Sequence, residues 1–302
     1  MSLGYKLNYG KRLWSITCHY GGKYHTSFKE NKDPWHPVFE CVKRIKIFYP
    51  NDDVIVVDSN SPDKSYFDQV RKLGATPVDA KNVNYTTGNI WHTYNNFTDY
   101  QYYNFIHDTF WLNHPINKYF DNKVNSTYWF NSWNGEGHKN SQKTHKGLDA
   151  QKGFDTVELM EWANRELEKH TDYKIEDDFD ALFGPMLLCK REVLDTLYSN
   201  GFHKVLPKNK DHSMAMERIW GSVLKTEGYE IAGKNSIMGN FFEEIDADTA
   251  EEAVKRVEDW NNHHGGSRNL TTAHLDMKNQ KGEIIFVFRE NQYATKVFMG
   301  RT

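Results

Sequence analysis

Residues 53–63 read Asp-Val-Ile-Val-Val-Asp-Ser-Asn-Ser-Pro-Asp and indicate the class of fold. Positions 54–57 are apolar and β-branched without interruption, which is typical of a short strand buried on both faces of a mostly parallel sheet. Turn formers follow Asp58 at once, and Asp63 predicts the start of a helix that reaches about Leu73. Ligands of open α/β sheets bind outside the carboxyl ends of the strands, where we expect Asp58. An aspartate at this position could equally cap the turn.

Strand and helix patterns alternate around this stretch. Strands are predicted at residues 13–20, 76–78 and 102–106, and helices at 34–49 and 63–73. This alternation is typical of βαβ units, so we predict an α/β fold with a mixed, mostly parallel sheet flanked by helices.

Beyond residue 80, the sequence predicts turns, several helices and a terminal hairpin. A polar turn at Gly88 precedes a helix, and residues 131–153 form a polar, glycine-rich segment that is either disordered or a lid. Further elements are predicted, namely helices at 154–169, 190–198, 214–226 and 247–261 and a terminal hairpin of 284–288 with 294–298. We therefore expect one domain over residues 1–245, with halves at about 12–115 and 116–245, and an extension over 246–302.

Composition excludes several functional classes. The chain has 302 residues, a net charge of −3 and a pI near 6.5, so no basic balance favours nucleic-acid binding. Cys18, Cys41 and Cys189 are too far apart for a zinc motif, and their odd number argues against a disulfide framework. No signal peptide and no apolar run of membrane-spanning length is evident, so we expect a soluble, cytoplasmic protein.

The order of four motifs resembles the GT-A glycosyltransferases, which use nucleotide sugars and share a Rossmann-like amino-terminal half. The resemblance covers most of residues 12–230. The motifs that carry it are Val-Ile-Val-Val-Asp-Ser-Asn-Ser-Pro-Asp (54–63), Phe-Ile-His-Asp-Thr (105–109), Phe-Gly-Pro-Met-Leu-Leu-Cys-Lys-Arg-Glu-Val-Leu (183–194) and Glu-Arg-Ile-Trp-Gly-Ser-Val-Leu (217–224).

The resemblance implies that a nucleotide-sugar donor binds at the strand ends. Asp58 would contact the nucleoside, and Asp108 would be the acidic residue of the DXD site. Thr17, His19 and Gly88 are further candidates for contact with the donor nucleotide.

A saccharide acceptor is implied on the other side of the site. Phe183, Gly184 and Pro185 would line it, since glycine permits close approach. Glu217 corresponds to the region where inverting relatives place the general base that accepts the proton of the acceptor hydroxyl. Pairing of Glu217 with Arg218 or a neighbouring lysine on a solvated helix face is the alternative.

A divalent metal, Mg²⁺ or Mn²⁺, is implied against the donor diphosphate. Asp108 would hold it, with His264 as a second ligand. The family usually supplies a second carboxylate, whereas this chain has Ile106 and His107 before Asp108. A metal-independent enzyme that neutralises the diphosphate with Lys or Arg remains open.

Two other functions also remain open. A sugar nucleotidyltransferase would need a Gly-x-Gly-x-Arg loop after the first strand, which residues 19–25 do not match. A carbohydrate- or nucleotide-binding protein without catalysis could retain the same sheet.

Overall fold

A computed structural model gives the architecture of the chain. It describes residues 10–20, 37–126, 129–131, 157–175, 180–182, 184–229, 237, 241–245, 255, 269–271, 286–289 and 294–296.

Strands and helices alternate through the first hundred residues, as predicted. The strands are β1 Arg12–Cys18, β2 Asp53–Asp58, β3 Thr76–Val78, β4 Tyr102–His107, β5 Phe110–Leu112, β6 Val124–Ser126, β7 Trp129–Asn131, β8 Asp180–Leu182, β9 Leu187–Lys190, β10 Phe241–Ile245, β11 Asn269–Thr271, β12 Phe286–Arg289 and β13 Ala294–Lys296. The helices are α1 Pro37–Phe48, α2 Tyr66–Lys72, α3 Tyr85–Asn96, α4 Val157–His170, α5 Arg191–Ser199 and α6 Lys210–Thr226.

The main sheet has six strands in the order β3-β2-β1-β4-β9-β6. β1 pairs in parallel with β2 and β4, and β2 pairs in parallel with β3. β9 runs antiparallel to both β4 and β6. The prediction of an α/β fold with a mixed, mostly parallel sheet flanked by helices is confirmed.

Both faces of this sheet are covered. On β2, Val54 and Val56 join the apolar cluster that includes Val42 of α1, whereas Ile55 and Val57 join the cluster that includes Trp220 of α6. Strand residues alternate between the two faces of a sheet, so an unbroken apolar run fits a strand covered on both sides. None of the helices in the described part of the chain combines the length and the apolar character needed to cross a bilayer.

The predicted terminal hairpin is wrong. β12 pairs with β10 on one edge and with β11 on the other, so both of its edges are occupied and β13 cannot pair with it. β13 pairs instead with β5, far back in the chain. These pairings tie the carboxyl-terminal strands to strands on the other side of residue 246, where the sequence suggested a boundary.

Some predicted boundaries also change. Gly88 lies inside α3, which begins at Tyr85, so the predicted turn at Gly88 is wrong. α6 begins at Lys210 rather than 214, because the Asn209 side chain accepts a hydrogen bond from the His212 N–H and caps the helix there. Apart from Lys255, the helix predicted at 247–261 lies outside the described residues, as does the segment 132–153.

Candidate functional site

The candidate site lies where β1 and β4 end. From β1 the chain moves outward to β2 and β3, then crosses back to place β4 on the other side of β1. A reversal of strand order opens a crevice at the carboxyl ends of the two central strands. The register sets Cys18 beside Asp58 and Thr17 between Val57 and His107. The strand-end residues predicted from sequence therefore lie together at the carboxyl ends of the parallel strands.

Asp58 is fully buried, and both oxygens of its carboxylate accept hydrogen bonds within the protein. Oδ2 accepts hydrogen bonds from the Ser61 N–H, at 2.9 Å, and from the Lys64 ammonium, while Oδ1 accepts one from the Tyr66 hydroxyl at 2.8 Å. Burial raises the pKa of Asp58, but the hydrogen bonds from Lys64, Ser61 and Tyr66 outweigh it and hold the pKa below its usual value. Asp58 thus closes the turn after β2, and its contact with a nucleoside stays a prediction.

Asp108 lies half-buried at the crevice. Its N–H donates to the carbonyl oxygen of Thr17 at 3.1 Å, which fixes its backbone against β1. The Cys18 thiol is fully buried and hydrogen-bonded to the Asp108 side chain. Burial and the Asp108 charge raise the pKa of Cys18 well above its usual value, so the thiol is a donor and not a nucleophile.

The resemblance implies a divalent metal, and the described residues show which side chains could hold it. Within the described ranges, no three side chains of His, Cys, Asp or Glu converge on one point, and His264 lies outside those ranges. A single carboxylate such as Asp108 can be enough for Mg²⁺ bound to a nucleotide, since that ion often uses one carboxylate together with water and phosphate oxygens. Asp108 as a metal ligand stays a prediction.

The other donor-side candidates make contacts within the protein. The Thr17 hydroxyl accepts a hydrogen bond from Asn89 at 2.6 Å, and Nδ1 of the exposed His19 donates to the Ser59 carbonyl oxygen at 2.9 Å. The Gly88 N–H donates to Asn84 at 2.9 Å, and a β-carbon at Gly88 would come within 2.0 Å of the Asn82 side-chain oxygen. Gly88 is therefore explained by the packing of the loop against α3.

His107 joins α3 to the segment before β9. Its Nε2 lies 2.7 Å from the Thr86 hydroxyl and 2.8 Å from the Gly184 carbonyl oxygen. A carbonyl oxygen only accepts, so Nε2 must carry a proton for this contact to be a hydrogen bond. We therefore assign the Nε2-protonated form of the ring from its partners.

Gly184 joins His107 to Glu217. Its φ is +71°, and its N–H donates to Oε1 of Glu217 at 2.9 Å. One glycine thus receives a hydrogen bond from the imidazole through its oxygen and gives one to the carboxylate through its nitrogen. The sequence placed Gly184 and Glu217 on the acceptor side, and the structure brings both to the end of β4.

Glu217 is held in a largely buried ion pair. Its Oε2 lies 2.9 Å from Nη1 of Arg218, and the two side chains are 12% and 5% exposed. Burial raises the pKa of Glu217, and neither the Arg218 charge nor the Gly184 hydrogen bond cancels that rise. The predicted pairing with Arg218 is confirmed, but the solvated setting predicted for it is wrong, because both side chains are largely buried. Each carboxylate oxygen has two lone-pair sites, so these contacts leave acceptor capacity on both oxygens.

The remaining predicted residues lie apart from this constellation or outside the described ranges. Pro185 is buried, and Phe183 and His264 are not among the described residues. Trp91 of α3 is 5% exposed and stacks on Trp220 at 5.6 Å between ring centres, so it belongs to the core.

Sequence reasoning missed the contribution of α3. Thr86 and Asn89 contact His107 and Thr17 from the first turns of this helix. The sequence predicts a polar turn at Gly88 and a helix only after it, so Thr86 falls before the predicted helix although it belongs to α3. A protein-family model that matches this chain was not found, and no curated protein matches it either.

Proposed function

We propose that this protein is a glycosyltransferase that transfers a sugar from a nucleotide-sugar donor to a hydroxyl of a saccharide acceptor. The observation that carries the proposal is the contact chain from His107 through Gly184 to Glu217. It brings a buried carboxylate of raised pKa to the crevice where ligands of open α/β sheets bind. The order of the four sequence motifs supports the same function.

Glu217 is the base in this proposal. Its carboxylate accepts the proton of the acceptor hydroxyl as that oxygen forms a bond to the anomeric carbon of the donor. The bond from the anomeric carbon to the diphosphate breaks, and its electron pair leaves with the nucleoside diphosphate. A raised pKa makes a carboxylate a better proton acceptor, and the Gly184 hydrogen bond orients it.

The donor diphosphate lies against the ends of β1 and β4 in this proposal. Asp108 would hold a divalent metal there, and that ion would neutralise charge on the leaving diphosphate. Thr17, His19 and the turn closed by Asp58 would face the nucleotide. The exposed His19 ring, fixed through Nδ1 to Ser59, presents Nε2 as a hydrogen-bonding group.

Thermal shift with UDP, GDP, CDP and their sugars, each with and without Mn²⁺, tests donor binding. A ligand present at 100 times its Kd stabilises the fold by about 2.7 kcal/mol, which a melting curve detects. Donors that bind are then incubated with the protein, and release of the nucleoside diphosphate is measured.

The proposal expects stabilisation by one class of donor and its slow hydrolysis without acceptor. Stabilisation without any hydrolysis or transfer would favour the non-catalytic binding protein. If no nucleotide and no nucleotide sugar stabilises the protein, the glycosyltransferase proposal is wrong.

A further inference from the structure

Tyr85, the first residue of α3, has an unusual backbone conformation. Its φ is +54°, and the other non-glycine residues of the described ranges with positive φ are Asn60 and Lys81. Asparagine tolerates this left-handed region because its short side chain bonds locally, whereas a bulky aromatic residue there is a true outlier. Asn82 supports the conformation by donating to the Tyr85 carbonyl oxygen at 2.6 Å.

The strained residue lies at the candidate site. Tyr85 immediately precedes Thr86, whose hydroxyl contacts His107. Tyr85 is half-buried, so part of the residue remains open to solvent. The Lys210 ammonium lies 6.0 Å from the centre of its ring. The charge of Lys210 also acts on Glu217, where it lowers the pKa against the effect of burial. Lys210 therefore relates the tyrosine ring to the proposed base.

We infer that Tyr85 is an aromatic platform on which a saccharide ring stacks, between Thr86 and the Lys210 ammonium. The inference rests on the proposed function and adds to it a residue that binds the saccharide. A flat aromatic face complements the apolar C–H face of a sugar, and an ammonium beside it can donate to sugar hydroxyls. Backbone strain at a position that glycine would relieve is a feature of functional sites, where ligand binding retains the strained residue.

The platform differs from the aromatic residues of the core. Trp91 and Trp220 stack on each other and are almost fully buried, so neither offers a ring face to a ligand. Tyr85 combines partial exposure with a place next to Thr86 and a cation over the ring. These features favour binding over packing as the reason for a tyrosine at this position.

The test measures saccharide binding and stability in the same variants. Methyl β-glucopyranoside, methyl β-galactopyranoside, methyl α-mannopyranoside and methyl N-acetyl-β-glucosaminide serve as probes, and saturation-transfer NMR titrations give their Kd values. The variants are Tyr85→Gly, Tyr85→Phe and the matched control Lys81→Gly, which relieves the same backbone conformation four residues earlier. Tyr85→Asn is the second ringless variant, since asparagine tolerates positive φ.

We expect the parent, Tyr85→Phe and Lys81→Gly to bind at least one glycoside with similar Kd. Tyr85→Gly and Tyr85→Asn should raise that Kd by about tenfold, as loss of an aromatic stack implies. The urea midpoint of Tyr85→Gly should be no lower than that of the parent, since glycine removes the strain.

The inference is overturned if the parent transfers saturation to no probe or if the ringless variants keep the parental Kd. Nucleotide-sugar hydrolysis, measured on the same samples, reports on the proposed function separately. If the protein hydrolyses nucleotide sugars but its saccharide binding does not depend on Tyr85, the proposed glycosyltransferase function is retained and the role of Tyr85 as a platform is rejected.

Discussion

Gly184 lies against His107 so closely that a β-carbon at residue 184 would come within 2.5 Å of the imidazole Cε1. Real β-carbons do not approach other atoms to this distance, so only glycine fits between the ring and α6. The contact fixes Gly184 with its oxygen toward His107 and its nitrogen toward Glu217. The site therefore depends on the absence of a side chain as much as on the groups that are present.

Gly184→Ala should destabilise the fold and reduce activity. The new methyl group must displace the His107 ring, and φ at +71° is unfavourable for alanine. Overpacking and left-handed strain together should lower the free energy of unfolding by about 3 kcal/mol, measured by urea denaturation. Gly228→Ala is the matched control, because its φ is +72° but open space surrounds it, and it should cost only about 1 kcal/mol. Equal losses in the two variants would contradict the contact with His107.

Glu217→Gln should reduce kcat by about a hundredfold or more, since general-base catalysis contributes that much. The amide oxygen can still accept from the Gly184 N–H, so the geometry is largely retained. In the parent, the acid limb of the pH profile of kcat/KM should lie above 4.5, the ordinary pKa of glutamate, because burial raises the pKa of Glu217. An acid limb at the ordinary value, or a Glu217→Gln variant with parental kcat, would exclude this base.

The same shift has a consequence for stability. A group whose pKa is raised by folding stabilises the folded state below its ordinary pKa, and that contribution is lost as pH rises through the folded value. The parent should therefore lose stability from this residue above pH 4.5, and Glu217→Gln should not show that loss. Urea midpoints of the two proteins across this pH range provide the measurement.

Asp108→Asn should reduce transfer by about a hundredfold, equivalent to roughly 2.7 kcal/mol in the barrier. The amide keeps the size of the side chain but removes the charge that makes it a good ligand for a hard cation. The melting temperature should change little, because Asp108 is half-buried at the crevice and its N–H bond to Thr17 is retained. Parental activity that is unaffected by chelator, together with near-normal Asp108→Asn activity, would rule out the metal.

Asp58→Asn should destabilise the fold, because it replaces a buried carboxylate that accepts hydrogen bonds from Ser61, Lys64 and Tyr66. Lys64 is partly exposed and regains water, so we expect a loss of about 2 kcal/mol in the free energy of unfolding. The folded pKa of Asp58 is lowered, so its stabilisation is present above the ordinary value of 3.8 and is lost as pH falls through the folded value.

Asp52→Asn is the matched control for Asp58→Asn. Asp52 is buried and bonds to Arg12 at 2.8 Å and to the Trp14 indole at 3.0 Å, before β2 begins and thus at the opposite end of the strand from Asp58. The Asp52→Asn variant should lose a similar free energy of unfolding and keep the parental nucleotide affinity. Asp58→Asn should lower both the free energy of unfolding and the nucleotide affinity. Calorimetry with the best donor nucleotide separates them. Equal affinity in the two variants would confine Asp58 to its structural role.

The sequence by itself determined the elements whose pattern is local. The β-branched run ending at Asp58 forms β2, and residues 76–78 form β3 as predicted. Apolar periodicity and turn residues depend only on neighbours in the chain, so they predict where strands and helices lie and that Asp58 and Asp108 come at strand ends.

Tertiary structure decided what those residues contact. The reason for a glycine at position 88 is tertiary, because the Asn82 side chain occupies the space that a β-carbon would need. β13 pairs with β5 rather than with β12, because both edges of β12 already pair with other strands. The links from Gly184 to His107 and Glu217 join residues far apart in the chain, and the left-handed Tyr85 depends on its surroundings. Such contacts leave no periodic signal in the sequence, because their energy comes from packing between distant segments.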